Sequence, residues 1–316
     1  MKLQSFVFSG LALGGAALLL APAENSFAFS TIGGSLSLTQ RDFRVYDNFL
    51  DAASNNNVTA HAQFPGQLGA EMAIWKGMIE WGNLHGNGTG DTTQTALGDG
   101  GANFDAAWMG KATAVGGQNQ NVLSAITSCS GGTLAYTETP ISDGWRIRVC
   151  DNYTWADGPG SISGGQFDLQ GVACHEYGHA LGLGHSGTGG ATMFPSVSSG
   201  NTGPRSIATD DINGVKFIYG AKLATKPAIT SVSVAGSNVT VNGSNFSATG
   251  NEVWFTQRNS TNPGIAQPLV IVAGVASSGT SLTVTAPANA GDGDVLVHIP
   301  GTSGDKLSNP YPVDLP

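Results

Sequence analysis

The sequence predicts an α+β region followed by an all-β region. Three observations carry that prediction. Residues 175–185 place histidines at helical spacing. The chain upstream reads as strand, long helix and further strands. Beyond residue 227 the apolar period shortens to that of strands.

The chain of 316 residues opens Met1-Lys2, runs apolar from Phe6 to Leu20 and then gives Ala21-Pro22-Ala23. A positive start, a short apolar core and a small-residue end read as a signal peptide over 1–23, with Ser26-Phe27-Ala28 as a second cleavage candidate. The apolar stretch is short for a membrane span, and no cysteine follows it to carry a lipid. The mature protein is therefore expected to be secreted, extracellular and without a transmembrane anchor.

Arg41–Tyr46 reads as the first strand. In Ala70–Trp81 the apolar residues Ile74, Met78 and Trp81 recur at helical intervals. Strands are expected around Phe104–Met109, Thr133–Thr137 and Trp145–Val149, and a helix at about 168–182. Of the three cysteines, Cys129 and Cys150 flank two expected strands with a turn near Ser142-Asp143-Gly144. A disulfide between them would staple that unit in an oxidising compartment, leaving Cys174 free and buried.

Only 11% of residues are charged, the net charge is −9, and glycine numbers 46. An acidic chain without basic clusters argues against nucleic acid as a partner. Several Asn-x-Ser/Thr sequons occur, Asn57-Val58-Thr59 and Asn245-Phe246-Ser247 among them. They matter only in a eukaryotic secretory host.

Three of the six histidines lie in His175-Glu176-Tyr177-Gly178-His179-Ala180-Leu181-Gly182-Leu183-Gly184-His185. Residues four apart share a helix face, so His175 and His179 can hold one Zn²⁺. Glu176 is poorly placed as a ligand but can reach a metal-bound water. Gly182 lets the backbone leave the helix, and the turn returns His185 as third ligand. A fourth position stays open for water, as in a catalytic rather than a structural site. The chemistry expected is hydrolysis by a zinc-activated water with Glu176 as general base. The plain alternatives are histidines without a metal, or a structural zinc, for which no fourth ligand stands nearby.

With these residues the chain resembles the metzincin metalloproteases, and in particular the matrixins. Ser186 follows the third histidine as in matrixins. Ala191-Thr192-Met193-Phe194-Pro195 resembles the Met-turn, which implies that Met193 lies beneath the zinc. Pro195-Ser196-Val197 would then wall the pocket for the residue after the scissile bond, with Val197 where many matrixins have a bulkier residue. Thr209–Gly220 resembles the closing helix, whose acidic pair Asp210 and Asp211 would tie it to the Met-turn and the N-terminal segment. Leu134-Ala135-Tyr136 resembles the edge strand on which substrate adds as an antiparallel strand. The resemblance implies a matrixin-like domain over 24–222, a twisted mixed β-sheet with an active-site helix. It also implies a protein or peptide substrate.

The chain departs from the family in two places. Tyr136 stands where matrixins usually carry a histidine for a second, structural zinc. No cysteine precedes Cys129, so the cysteine-bearing latency motif is absent. Asp143, Asp151, Asp157 and Asp168, in glycine-rich loops, are candidates for a calcium (Ca²⁺) site, or else ordinary turn residues.

Ala221–Pro227 reads as a linker. Ile229–Val234, Val239–Val241, Val253–Phe255, Leu269–Val272, Leu282–Val284 and Val295–Ile299 then read as short strands between turn clusters. Such a pattern over 227–316 predicts a β-sandwich. Pro227–Val232, Val241–Phe246 and Thr283–Pro287 resemble the immunoglobulin-like IPT/TIG module. Its expected role is to bind matrix, glycan or a cell surface, or simply to stabilise and space. The functional expectation is a secreted zinc endopeptidase. The alternatives are an adhesive protein on a metzincin scaffold, and a hydrolase of a non-protein amide such as a cell-wall peptide.

Overall fold

The computed structural model describes residues 28–316 apart from 92–93, 119, 139–143, 261–269 and 302–305. The signal peptide expected at 1–23, Ser142 and Asp143 of the expected turn, and Leu269 lie outside the described residues.

Five strands, β1 (Asp42–Tyr46), β2 (Ala107–Lys111), β3 (Val122–Ile126), β4 (Ala135–Glu138) and β5 (Arg146–Cys150), form one sheet in the order β2-β1-β3-β5-β4. Only β4 runs antiparallel to its neighbour. Two short strands, β6 (Trp155–Ala156) and β7 (Phe167–Asp168), pair in parallel just before the histidine helix. Three helices complete this part: α1 (Gly69–Ile79), α2 (Leu169–Ala180) and α3 (Thr209–Tyr219). A single apolar core joins the sheet to the helices.

The expected stripe Ile74, Met78 and Trp81 is buried, but so is every residue of α1, Glu71 and Lys76 included. Burial on all sides demands a partner for each charge. Lys76 pairs with Asp91 and Glu71 with Lys111 (2.6 Å). The helix also crosses α2 closely. A Cβ at Gly77 would lie 2.5 Å from the Gln170 carbonyl, which explains the glycine there.

Beyond residue 227 there are seven described strands. β8 (Ala228–Ala235), β9 (Asn238–Ser244) and β12 (Ser281–Thr285) form one antiparallel sheet, in the order β12-β9-β8. β10 (Asn251–Gln257), β11 (Val270–Val275), β13 (Ala290–His298) and β14 (Tyr311–Val313) form a second, in the order β11-β10-β13-β14. Apolar residues of both sheets share one core, among them Val239, Val241 and Leu282 from the first and Val253, Phe255 and Val295 from the second.

This part docks on β2 and α1. Ala107 and Met109 pack with Trp254, Leu296 and Leu307. The fully buried Asp294 accepts from Trp75 Nε1 (2.8 Å) and from His85 Nε2 (2.7 Å). Thr256 Oγ1 donates to the Trp108 carbonyl (2.8 Å). The segment read as a linker is pinned. Lys222 N donates to the Gly101 carbonyl, and Lys226 forms a buried pair with Asp105 (3.1 Å).

Two strand expectations shift. The strand expected at Phe104–Met109 begins at Ala107, because Asp105 turns inward to hold Asn83 and Lys226. β3 was not expected. Its apolar run is short and does not alternate, and its place between β1 and β5 is set by pairing.

Candidate metal centre

Helix α2 starts where it does because of Asp168. Its carboxylate caps the Gly171 amide (2.8 Å) and is held by the Arg205 guanidinium at 2.6 and 2.9 Å. The helix ends at Ala180 with Leu181 as its cap, and Gly182 takes φ +104°, a left-handed dihedral suited to glycine. The chain then turns along segment 28–32. Thr31 bridges Leu183, Gly184 N donates to the Ser30 carbonyl, and Ser30 Oγ donates to the His185 carbonyl (2.6 Å).

The result brings His175, His179 and His185 together. Their ring centroids are 4.9–5.4 Å apart, and one ligand atom from each lies within 4.8 Å of the others. His175 Nδ1 donates to the Thr192 carbonyl (2.6 Å), and His179 Nδ1 to the Leu183 carbonyl (2.8 Å). Each bond fixes the tautomer and leaves Nε2 as the lone-pair donor. Burial and the neighbouring imidazoles push His175 down to about 4, and burial also lowers His179. Both rings are therefore neutral at neutral pH, the form that binds metal. Three imidazoles gathered on one side of a helix and its following turn fit a zinc ion.

Glu176 is buried, 5% exposed, and no cation pairs with it among the described residues. Burial pushes its carboxyl up to about 7, against the opposing effect of a hydrogen bond from Thr137. Thr137 Oγ1 lies 2.7 Å from the Glu176 carbonyl and 3.0 Å from Oε2.

Met193 is buried under α2. A Cβ on Gly178 would lie 2.3 Å from Met193 Sδ and 2.7 Å from Trp81, so glycine between the helical histidines admits the methionine. Asp211 holds that turn, accepting from Thr192 N (2.7 Å), Met193 N (3.1 Å) and Ala208 N (2.9 Å). Asp210 accepts from Ser186 Oγ (2.7 Å), which anchors the loop after His185. Closing helix, methionine turn and third histidine are thus tied together.

The family model for the matrixins matches residues 44–220. The chain belongs to the matrixin family. Metalloendoproteinase 5-MMP of Arabidopsis thaliana is 35% identical over 119 residues, which is 34% of this chain and 32% of that protein. Metalloendoproteinase 1 of Glycine max is 41% identical over 92 residues, 28% of this chain and 30% of the relative. Matrix metalloproteinase-18 of Xenopus laevis is 37% identical over 94 residues, covering 29% and 19%. The chain spans about a third or less of the length of these relatives.

The structure also locates the remaining residues read from the sequence. β4 is the edge of its sheet, and Leu134 and Ala135 are half-buried against the main core. Pro195 is exposed, whereas Val197 is half-buried on the same core. Cys129 and Cys150 are disulfide-bonded, and Cys174 is free and buried.

No cluster of the calcium candidates Asp151, Asp157 and Asp168 is found among the described residues. Asp143 lies outside the described residues. Asp151 accepts from Leu50 N, Asp157 from Asn57 N, and Asp168 is spent on the α2 cap and Arg205. Each of these three carboxylates accepts from a distant segment, and the three histidines are the one cluster of three or more His, Cys, Asp or Glu side chains with metal-ligand spacing among the described residues.

Sequence reasoning missed Thr137, the Thr192 and Leu183 carbonyls, and Arg205. Their partners come from 4 to 39 residues away, and only His179–Leu183 has a helical offset that a sequence could have shown.

Proposed function

We propose that this matrixin is a secreted zinc endopeptidase in which His175, His179 and His185 hold the metal and Glu176 is the general base. One observation carries this reading: a buried carboxylate, with no cation paired to it among the described residues, stands on the helix that presents two imidazoles with their Nδ1 atoms already committed. A bound zinc would supply Lewis acidity, lowering the pKa of a water and polarising a carbonyl.

The chain's own residues do the rest. The Thr192 and Leu183 carbonyls orient the two helical rings. Glu176, with a carboxyl near 7, is matched to taking a proton from the attacking water and giving it to the leaving amide nitrogen. Met193 supplies an apolar floor that excludes water from below. An extended substrate would add to β4 alongside Leu134 and Ala135, with Pro195 and Val197 walling the pocket beyond the scissile bond. The disulfide suits an oxidising compartment, in keeping with secretion. Among the described residues no helix is long and apolar enough to cross a membrane. The two sheets beyond residue 227 are read as an immunoglobulin-like sandwich of IPT/TIG type. Their buried polar bonds to α1 and β2 favour a stabilising role over that of a tethered binding module.

The test is cleavage of casein or gelatin by the mature chain beside Glu176→Ala. Wild-type cleavage that stops with a chelator, and an inactive variant that still binds about one zinc per chain, is the expected result. A Glu176→Ala protein as active as wild type removes the carboxylate from the mechanism.

A further inference from the structure

We propose that Thr137 is a positioning residue that holds Glu176 in its working rotamer, a role that rests on the hydrolase reading above. Thr137 sits on β4, the strand that ends the sheet beside α2. Side chains alternate along a strand, and β4 uses both faces. Tyr136 is exposed, and Glu138 pairs with Arg146 (2.5 Å) and Arg148 (2.9 Å). Thr137 turns the other way and meets Glu176 twice, at the main-chain carbonyl (2.7 Å) and at Oε2 (3.0 Å).

The two contacts differ in meaning. A hydroxyl has one proton and two lone pairs, so Thr137 can donate to the Glu176 carbonyl or to Oε2, and can donate to the carbonyl while accepting from a protonated carboxyl. A bond to the carbonyl alone would merely tie the strand to the helix. Contact with both ends of one residue fixes the side chain relative to its own backbone. A free glutamate samples many rotamers, and ordering it is entropically unfavourable. No arginine or lysine restrains Glu176 among the described residues, and no hydrogen bond is made by Oε1. Thr137 therefore engages one carboxylate oxygen and leaves the other without a hydrogen bond among the described residues. The same strand that would carry the substrate would thus also aim the base, coupling substrate register to base position.

The test compares Thr137→Val, which keeps the shape and removes the hydroxyl, with Thr137→Ser, which keeps the hydroxyl. Peptide cleavage by the zinc-loaded proteins is followed beside wild type and Glu176→Ala. The expected result is a fall in kcat of about 10–100-fold for Thr137→Val, with KM within about twofold, and recovery by Thr137→Ser. Should the valine variant not fold, Thr137→Ala is measured in its place with the same expectation. Wild-type kcat in the variant lacking the hydroxyl overturns the proposal. An equal loss in the serine variant, or a change confined to KM, overturns it too, because either would mark a purely structural contact. A wild type that binds zinc and cleaves no substrate overturns the hydrolase reading, and this role with it. An active wild type matched by an equally active Thr137→Val overturns this role alone.

Discussion

Asp294→Ala tests whether the sheets beyond residue 227 unfold together with the matrixin part. Asp294 is on β13, yet both of its side-chain oxygens serve residues of the other part, Trp75 Nε1 at 2.8 Å and His85 Nε2 at 2.7 Å. All three side chains are fully buried. Alanine leaves two buried donors without an acceptor, at about 1–3 kcal/mol each. Removing one partner of a buried pair costs about 3–5 kcal/mol in total. For a large cooperative unit at about 2 °C per kcal/mol, Tm falls by about 6–10 °C. Trp75 and Trp108 lie at this junction, so tryptophan fluorescence and calorimetry both follow it. The expected outcome is one transition, shifted as a whole. Two transitions, of which only one moves, would refute the argument. So would a Tm within about 2 °C of wild type.

Three further outcomes are expected. In chelator-treated protein, Glu176→Gln should raise stability at pH 8 by about 3 kcal/mol. The folded chain keeps this proton up to about pH 7, whereas an unfolded glutamate loses it near 4.5. The cost of ionised Glu176 is thus absent below about pH 4.5 and complete above about 7, and denaturant titrations at several pH values would show a gap closing in acid. Gly178→Ala should cost about 1–3 kcal/mol and weaken zinc binding, since its methyl would overlap Met193 Sδ. Metal titration with wild-type affinity would contradict that. Replacing Cys129 and Cys150 with alanine removes a cross-link over a separation of 21 residues and should lower stability by about 3 kcal/mol in chemical denaturation.

Much of the centre was legible because its spacing is helical. His175 and His179 are one helical turn apart, and Gly182 marks the exit that returns His185. These are short-range facts of backbone geometry. Met193, Asp210 and Asp211 were legible through family resemblance, and the structure adds which amides and hydroxyl they hold. Thr137 was not legible. A threonine in a short strand carries no sign that a helix 39 residues on will present a carboxylate to it.

The wider fold divides similarly. Strand and helix existence followed from apolar period for β1, α1 and most strands beyond residue 227. β3 was hidden because its pairing on both sides, rather than its composition, makes it a strand. α1 read as a helix with one apolar stripe, yet it is buried all round. Its second cover, around Asp294, begins more than 200 residues later. Lys226 lies in the segment that reads as a linker, yet it is buried against Asp105.

The sequence by itself determined which histidines can share one side, the acid beside them, the glycine exit and the alternation of apolar residues. Each depends on neighbours within a turn or two, where the backbone repeat dictates which side chains share a face. Only the tertiary structure decided which carbonyls the histidines bond, which side chain meets Glu176, and that the last two sheets pack on α1 and β2. Those contacts join distant residues, and burial makes each unmet polar group costly enough to fix where the partners must lie.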